Sequence, residues 1–423
     1  MRRLPFILFL LAGTCGFAQE RLTFEEAMSL ALSRNHQVTI ARNNAKIASN
    51  SANIGNAGLL PGVSLTGGTT YQEGGSAMSS EGATTTSGSV SANYTFFDGL
   101  GTIYRFKRLQ AGKVLGEADA RALIESTLLG VSSAFYAAAS AYENVQIAEE
   151  LLAISQERVK RARNRSQFGR AGAIDVLAAR VDLIADSVTV VEARLFWDES
   201  RRNLNVLLNR TIDHPFEIDT GVSFGTVHNL EVIKEAAAQR NAALLSAAAR
   251  LRQARFDLGS AKAAHFPRLD LSASYGYSQT ASGWDLKMND PSRSVRVGAT
   301  FNFNLFNGFQ TSIQRQNSAL ALRNSELNYE LEQLNLEKEV ISAYETYKNT
   351  LLVMDLESRN VEAAELNFQR TEELYGLGQV TTTQFREAQL NLIRARTSLS
   401  SSKYNAKMSE IELLRLSGQL LQE

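Results

Sequence analysis

Cysteine, histidine, proline and net charge are all scarce in this chain, and each shortage closes off a class of chemistry. Of 423 residues only Cys15 carries a thiol, so disulfide scaffolds and thiolate metal sites are excluded. The four histidines, His36, His214, His228 and His265, lack metal-ligand spacing. Neither a metal nor a cofactor is expected. Lys+Arg and Asp+Glu number 44 each, which leaves no electrostatic footprint for nucleic acid. None of the five prolines lies between Pro61 and Pro215, or after Pro291, so long helices there need not kink. Beyond residue 18 no apolar run reaches 18 residues, so no transmembrane helix is expected. Gly99-Leu100-Gly101 and Gly376-Leu377-Gly378 do not open a helix after a strand in the phosphate-loop pattern. No catalytic constellation is present, and the chain reads as a non-enzyme.

What is present begins with an export signal. Arg2 and Arg3 precede the apolar run Leu4 to Leu11, and Gly16 and Ala18 offer the small residues of a cleavage site. Residues 1–18 read as a signal peptide. Lipidation of Cys15 would want Leu three residues earlier, where Ala12 stands. Cleavage after Ala18 leaves a mature chain without any thiol, working outside the cytoplasm.

The rest is written twice. Pro61 in LLPGVSL has a counterpart at Pro267 in HFPRLDL, and FFDGLG around Gly99 has one at LFNGFQ around Gly308. Gly99 to Gly169 and Gly308 to Gly378 both span 70 residues. A period near 207 residues is too long for a solenoid unit and marks two similar halves. The halves are 19–210 and 229–423, joined by 211–228. Each reads helix, β-hairpin, long helix, sharp turn, long helix. Thr23 and Glu26 form a capping-box pattern at the first helix start. That helix is expected to reach about Ala57, and its counterpart to run from about Asn229 to Ala264.

Strands are expected at about 63–71, 89–97, 269–278 and 294–306. Val63, Leu65 and Tyr71 share one parity, as do Val90, Ala92, Tyr94 and Phe96. Leu269, Leu271, Ala273, Tyr275 and Tyr277 follow, then Val295, Val297, Phe301, Phe303 and Leu305. Period two with one apolar face suits a half-buried strand, and strands of about 9–11 residues also cross bilayers as tilted staves. Gln72 to Gly88 and Gln279 to Arg293 read as long polar loops. The helices carry a seven-residue register: Ala138, Val145, Leu152, Val159, matched by Tyr347, Met354, Val361, Phe368 and Tyr375. After the turns come Val176, Leu183, Val190, Trp197, Leu204 and Phe385, Leu392, Leu399, Ala406, Leu413.

Four tilted strands cannot close, and an open edge in lipid leaves backbone groups unsatisfied at several kcal/mol each. Three copies supply twelve strands and a matching wall of twelve helical segments. The expected fold is an α+β membrane protein whose homotrimer forms a 12-stranded β-barrel continued by a periplasmic α-helical barrel. Two other readings stand beside it: a trimeric autotransporter-like surface protein, and a soluble periplasmic helical scaffold.

The duplicated Leu60-Pro61 and Phe266-Pro267 strand starts, the Asp98-Gly99 and Asn307-Gly308 strand exits, and the pattern from Gly169 to Ala179 echoed from Gly378 to Ala388 carry a family likeness. In their order and spacing they resemble the TolC-like outer-membrane efflux proteins over essentially the whole mature chain. The resemblance implies a passive exit duct in the outer membrane of a Gram-negative bacterium, with a long periplasmic extension. Its implied partners are outer-membrane lipid, a periplasmic adaptor (membrane fusion protein) and an inner-membrane pump of RND or ABC type, in efflux or type I secretion. It also assigns functional positions. Pro61, Gly99, Pro267 and Gly308 bound the hairpins; Gly169, Gly172, Gly376 and Gly378 form the helix-hairpin tips and adaptor contact; Asp175, Tyr375, Gln384 and Glu387 are periplasmic gate candidates. Gln384 stands where well-known members have an acid, and Val380 where they have a base. Asp175 equally suits a helix start. The basic run Arg158, Lys160, Arg161, Arg163, Arg165 and Arg170, facing Glu372 and Glu373, is open to three readings: a solvated face, charge pairing between tips, or adaptor docking.

Overall fold

A computed structural model describes residues 21–73, 82–168, 172–225 and 229–421. The expected signal peptide with Cys15, and also Gly169, Arg170 and His228, lie outside the described residues. In chain order the elements are β1 (Arg21–Leu22), α1 (Phe24–Arg34), α2 (His36–Ser51), β2 (Gly62–Gln72), β3 (Ala83–Phe97), α3 (Gly101–Gln167), α4 (Ala173–Leu207), β4 (Glu217–Ile218), α5 (Leu230–Arg240), α6 (Ala242–Ala263), β5 (Arg268–Ser282), β6 (Ser292–Asn302), α7 (Gln310–Leu377) and α8 (Thr382–Leu416). They form two compact units, one of Met1–Thr39, Glu125–Asn229 and Ile341–Arg415, the other of Ile40–Ile124, Leu230–Val340 and Leu416–Glu423.

The second of these units holds an antiparallel sheet in the order β2-β3-β5-β6. The pairing keeps the expected parity except at the end of β3, where a bulge between Thr95 and Phe97 sets Phe97, not Phe96, opposite Leu269. Leu65 faces Val90, Val90 faces Tyr275 and Tyr275 faces Val295; one level along, Val63, Ala92, Ala273 and Val297 line up. One face is therefore apolar at these levels, and turns polar toward the β2–β3 and β5–β6 connections, where Thr69 pairs with Thr86 and Arg293 lies opposite Tyr277. The other carries hydroxyl pairs such as Ser64 with Ser91 at 2.9 Å, and the Arg268–Asp270 ion pair at 2.9 Å. The strands differ from expectation in length. β3 begins at Ala83 and β5 continues to Ser282, because the Thr- and Ser-rich stretch read as loop pairs across the two strands, with Thr85 and Thr280 hydroxyls at 3.1 Å. β6 stops at Asn302, short of the expected 306.

At the strand exits Gly99 and Leu100 both have positive φ, 68° and 73°, and so do Gly308 and Phe309, 63° and 65°. Two consecutive left-handed residues make a type I′ reversal. The Thr102 hydroxyl donates to Asp98 at 2.6 Å, and Asn307 donates to Thr311 at 2.5 Å. Pro61 and Pro267 immediately precede β2 and β5.

The expected single helices before each hairpin are broken. The capping box at Thr23 and Glu26 is present, with bonds of 3.2 and 3.1 Å. Asn35 then interrupts: its Oδ1 accepts from the N–H groups of Gln37 (2.7 Å) and Val38 (3.3 Å), and its Nδ2 donates to the Leu207 carbonyl at 2.7 Å. In the other half Asn241 accepts from Ala243 and Leu244 at 3.0 and 3.2 Å and donates to Leu416 at 3.1 Å. One side chain thus caps the N-terminus of a new helix and the C-terminal carbonyl of a long one. Helical periodicity continues through both breaks, which is why periodicity missed them.

The heptad rows are the core. Ala138, Val145, Val159, Val190, Leu204, Tyr347, Phe368, Leu392, Ala406 and Leu413 are all buried. One stretch of α3 is apolar and long enough to cross a membrane by composition, contrary to the expectation drawn from unbroken runs. Half of it is buried inside the protein, as a core helix requires.

In the Met1–Thr39 unit the inter-half connection is held by a parallel β1–β4 pair. Asp219 supports it: the Gly221 N–H and the Arg21 guanidinium, at 3.0 and 2.8 Å, hold its carboxyl below the usual carboxylate range. Tyr404 donates to the Thr220 carbonyl at 3.3 Å, and Lys407 to that of Ser223 at 2.7 Å. Burial pushes the Tyr404 and Tyr136 phenols far up, so both stay neutral donors.

Candidate functional site: the ends of the helical hairpins

Two helix reversals, α3 to α4 and α7 to α8, lie in the same unit as the connection. The second is fully described. Gly378 has φ 78°; its N–H donates to Tyr375 at 3.1 Å, and that of Gln379 to Leu374 at 2.9 Å. This is the paired 6→1 and 5→2 closure of a Schellman motif, whose left-handed position favours glycine. Gly376 sits in the last turn of α7, with open space where a Cβ would be. At the other reversal Gly172 is the residue before α4 and is extended, with φ −76° and ψ 158°.

The two gate candidates at equivalent positions are both helix caps. The Asp175 carboxylate accepts from the Gly172 N–H at 3.1 Å. Gln384 accepts from the Thr381 N–H at 2.9 Å, and the Thr381 hydroxyl accepts from the Gln384 N–H at 3.2 Å. Each is the third residue of its helix and reaches back to the residue before it, as a capping box does. Glutamine performs this as well as aspartate, which explains locally why an amide occupies the second position.

Tyr375 does not present its ring to solvent. It is 3 % exposed and stacks on Phe385 at 4.7 Å, with Phe368 on the far side of Phe385 at 5.6 Å. Ala388, Leu392 and Val380 complete the cluster. The Arg165 guanidinium lies 5.6 Å above the Tyr375 ring, an arrangement worth about 0.5–2 kcal/mol. Glu387 is exposed.

The basic run divides by partner. Arg161 bonds Glu157 at 3.2 Å and reaches Glu372 at 3.7 Å, while Arg165 covers Tyr375. Two members thus pair one hairpin with the other. Lys160 lies 3.8 Å from Glu157, and Arg163 is exposed.

Arg158, expected among the solvated bases, is 1 % exposed and belongs to a buried polar cluster that periodicity did not reveal. It bonds Asp182. Arg386 grips Asp186 with two bonds, 2.8 and 2.7 Å, and bonds Gln389 at 3.2 Å. Asp186 also accepts from the Ser155 hydroxyl, which accepts from Gln389 at 3.2 Å. Two guanidinium and two carboxylate groups therefore join α3, α4 and α8 inside the protein. The Nε and Nη1 of Arg158 have no hydrogen-bond partner among the described residues. The only sequence signal was charge at near-core heptad positions.

α8 shows a polar stripe to solvent. Gln384, Glu387, Asn391, Arg394 and Ser398 are exposed at alternating spacings of three and four residues, so they share one face. No group of three or more His, Cys, Asp and Glu residues able to hold a metal ion occurs among the described residues. The arrangement offers caps, packing and a polar face, which suits conduction.

Comparison with known proteins agrees. The family model described as "Outer membrane efflux protein" matches residues 27–210 and 233–419, in two blocks that track the two halves. A Salmonella typhimurium protein, "Probable outer membrane lipoprotein SilC", is 20 % identical over 400 residues, covering 92 % of this chain and 84 % of the relative. The Campylobacter jejuni CmeC outer membrane channel superposes with a TM-score of 0.80 at 16 % identity, over 94 % of this chain and 86 % of that one. The open state of the Neisseria gonorrhoeae MtrE outer membrane channel gives 0.77 at 18 % identity, over 94 % and 89 %. The chain belongs to the outer membrane efflux protein family, as an outer-membrane channel protein.

Proposed function

We propose that three copies of this chain close a 12-stranded barrel in the outer membrane, and that the helical hairpins continue it as a periplasmic duct. A periplasmic adaptor and an inner-membrane pump, of RND or ABC type, would deliver cargo to it. The observation that carries this reading is the sheet. Its apolar face is continuous over four strands, while the outer edges of β2 and β6 have no partner strand among the described residues. Backbone groups at such edges cannot be left open in lipid. A lone β2 cannot pair with its own chain's β6 across only four strands, so further copies must supply the neighbours. Family membership and internal hairpins separated by long helices count against the autotransporter and soluble-scaffold readings.

The helix ends are the proposed constriction. Asp175, Gln384 and Glu387 lie at the starts of α4 and α8, and Tyr375 holds the end of α7 against α8. Of these, Glu387 is the carboxylate with no cap to serve. A ring of its symmetry copies would favour cations. Recordings from the purified protein in planar bilayers test both parts. Glu387→Ala, and Asp175→Ala combined with Tyr375→Phe, should raise conductance several-fold. Unchanged conductance in both would remove the gate. Absence of channels together with a monomer mass in detergent would remove the barrel.

A further inference from the structure

The β5–β6 connection, which reads from sequence as a polar loop, carries Trp284, Leu286 and Met288 at steps of two, 71, 56 and 41 % exposed. It lies at the end of the sheet remote from the helices, which attach at the opposite ends of the strands. Gly283, with φ 72°, turns the chain out of the line of β5, and three contacts then fix its course. The Thr84 hydroxyl donates to the Gly283 carbonyl at 2.5 Å and accepts from the Asp285 N–H at 3.3 Å. The Trp284 ring meets the Tyr71 ring edge-on at 5.1 Å. The Asp290 N–H donates to the Gln279 side chain at 3.1 Å.

The register decides which face these contacts lie on. Tyr71 pairs with Thr84, and Thr84 with Ala281; one level along, Thr69, Thr86 and Gln279 line up. Directly opposed residues project to one face, and steps of two along a strand stay on it. From Thr84, steps of two along β3 reach Val90 and Ala92. Tyr71, Thr84 and Gln279 therefore stand on the apolar face, with Val63, Leu65, Tyr275 and Val297. The connection crosses the ends of β5, β3 and β2 on that face, and Thr84 is 1 % exposed beneath it. At this level the strands themselves turn polar, with Thr69, Thr86 and Gln279, and the connection lays three apolar side chains over them. Arg293, on the same face opposite Tyr277, holds its guanidinium 5.8 Å from that ring's centroid. An apolar body with a cationic tip suits the level where acyl chains meet headgroups.

We propose that the β5–β6 connection is a lipid anchor: it folds against the outside wall of the barrel, seats Trp284, Leu286 and Met288 in the outer leaflet just below the headgroups, and leaves the mouth of the duct clear. This rests on the barrel reading and deepens it. Lipid is the occupant because the connection extends the sheet face that carries Val63, Leu65 and Val297. Indole is also the side chain most at home at a membrane interface. A connection folded over the hydroxyl-rich face would instead have capped the pore.

Fluorescence quenching tests the anchor. The chain has two tryptophans, so Trp197→Phe leaves Trp284 as the sole indole. In phosphatidylcholine vesicles its emission should lose half or more of its intensity when the acyl chains are brominated near the headgroup, and less when they are brominated near their ends. Acrylamide in the water should quench it weakly. Strong quenching by acrylamide with none by brominated lipid would place Trp284 over water and overturn the proposal. Quenching by neither would place it under a neighbouring copy and overturn it as well. A control indole on the strand face, Val297→Trp in a chain carrying Trp197→Phe and Trp284→Phe, separates the failures. If brominated lipid quenches the control but not Trp284, the anchor falls and the barrel stands; if it quenches neither, both fall. A nitroxide on Leu286→Cys repeats the measurement with Trp197 in place, since the expected cleavage removes Cys15. Oxygen should relax that label more than a water-soluble nickel chelate does, and the reverse order would overturn the anchor.

Discussion

Gly99 and Gly308 occupy equivalent corners with nearly equal φ, 68° and 63°, yet their surroundings differ. A Cβ on Gly99 would lie 2.6 Å from the Ala263 carbonyl oxygen and 2.6 Å from the Phe266 Cβ, whereas one on Gly308 would meet nothing within 4 Å. Left-handed backbone costs an L-residue about 1–2 kcal/mol, so Gly308→Ala should be tolerated at that level. Gly99→Ala carries the same cost plus a backbone collision that only movement of the β3–α3 corner relieves. The expected outcome is a near-normal yield of assembled protein for Gly308→Ala and a severalfold lower yield for Gly99→Ala, read by heat-resistant oligomer on gels. Equal losses would mean that conformation alone sets the requirement. The sequence marked both glycines as strand exits. It could not separate them, because the difference lies in a helix end more than 160 residues away.

The buried cluster joining α3, α4 and α8 works at the scale of elements. Asp186 is 2 % exposed and is held by both arms of Arg386. Removing one member of such a pair strands a charge in low dielectric, at about 3–5 kcal/mol, while replacing both with apolar groups is often nearly neutral. Arg386→Met should therefore lower the helical melting midpoint measured by circular dichroism, and Arg386→Met/Asp186→Leu should recover most of the loss. A double variant as unstable as the single would show that the cluster stabilises through its hydroxyl and amide bonds instead. Heptad rows were legible from sequence because burial repeats every seven residues; Tyr347, Phe368 and Leu413 were found that way. The cluster was not legible, since Arg158 and Arg386 look like surface charges until the neighbouring helix is in place. Asn35 and Asn241 were missed for the opposite reason. Each is a single polar residue inside an unbroken periodic pattern, and its capping role depends on a carbonyl at the end of a distant helix.

At the scale of the whole molecule, duplication made most of the architecture readable. Matching prolines, glycines and strand parities located four strands and two helical hairpins, and the strand pairing preserves that parity except at the β3 bulge between Thr95 and Phe97. Strand lengths were misjudged where Thr and Ser replace apolar residues near the β3–β5 ends. There, hydroxyl pairs across strands substitute for side-chain packing, and periodicity carries no signal. The parity also yields a test of which face meets lipid. Val297 lies on the apolar face of β6, opposite Ala273, while Ser274 lies on the other face of β5, opposite Arg296. An arginine on the lipid side near the bilayer midplane costs about 2–4 kcal/mol, and a symmetric trimer would bear that cost three times. Val297→Arg should therefore abolish heat-resistant oligomer in the outer membrane. Ser274→Arg places the same charge on the hydroxyl-rich face and should leave assembly intact, changing only ion selectivity in bilayer recordings. If the two variants assembled equally well, the apolar face would not be in contact with lipid, and the barrel reading would fall with it.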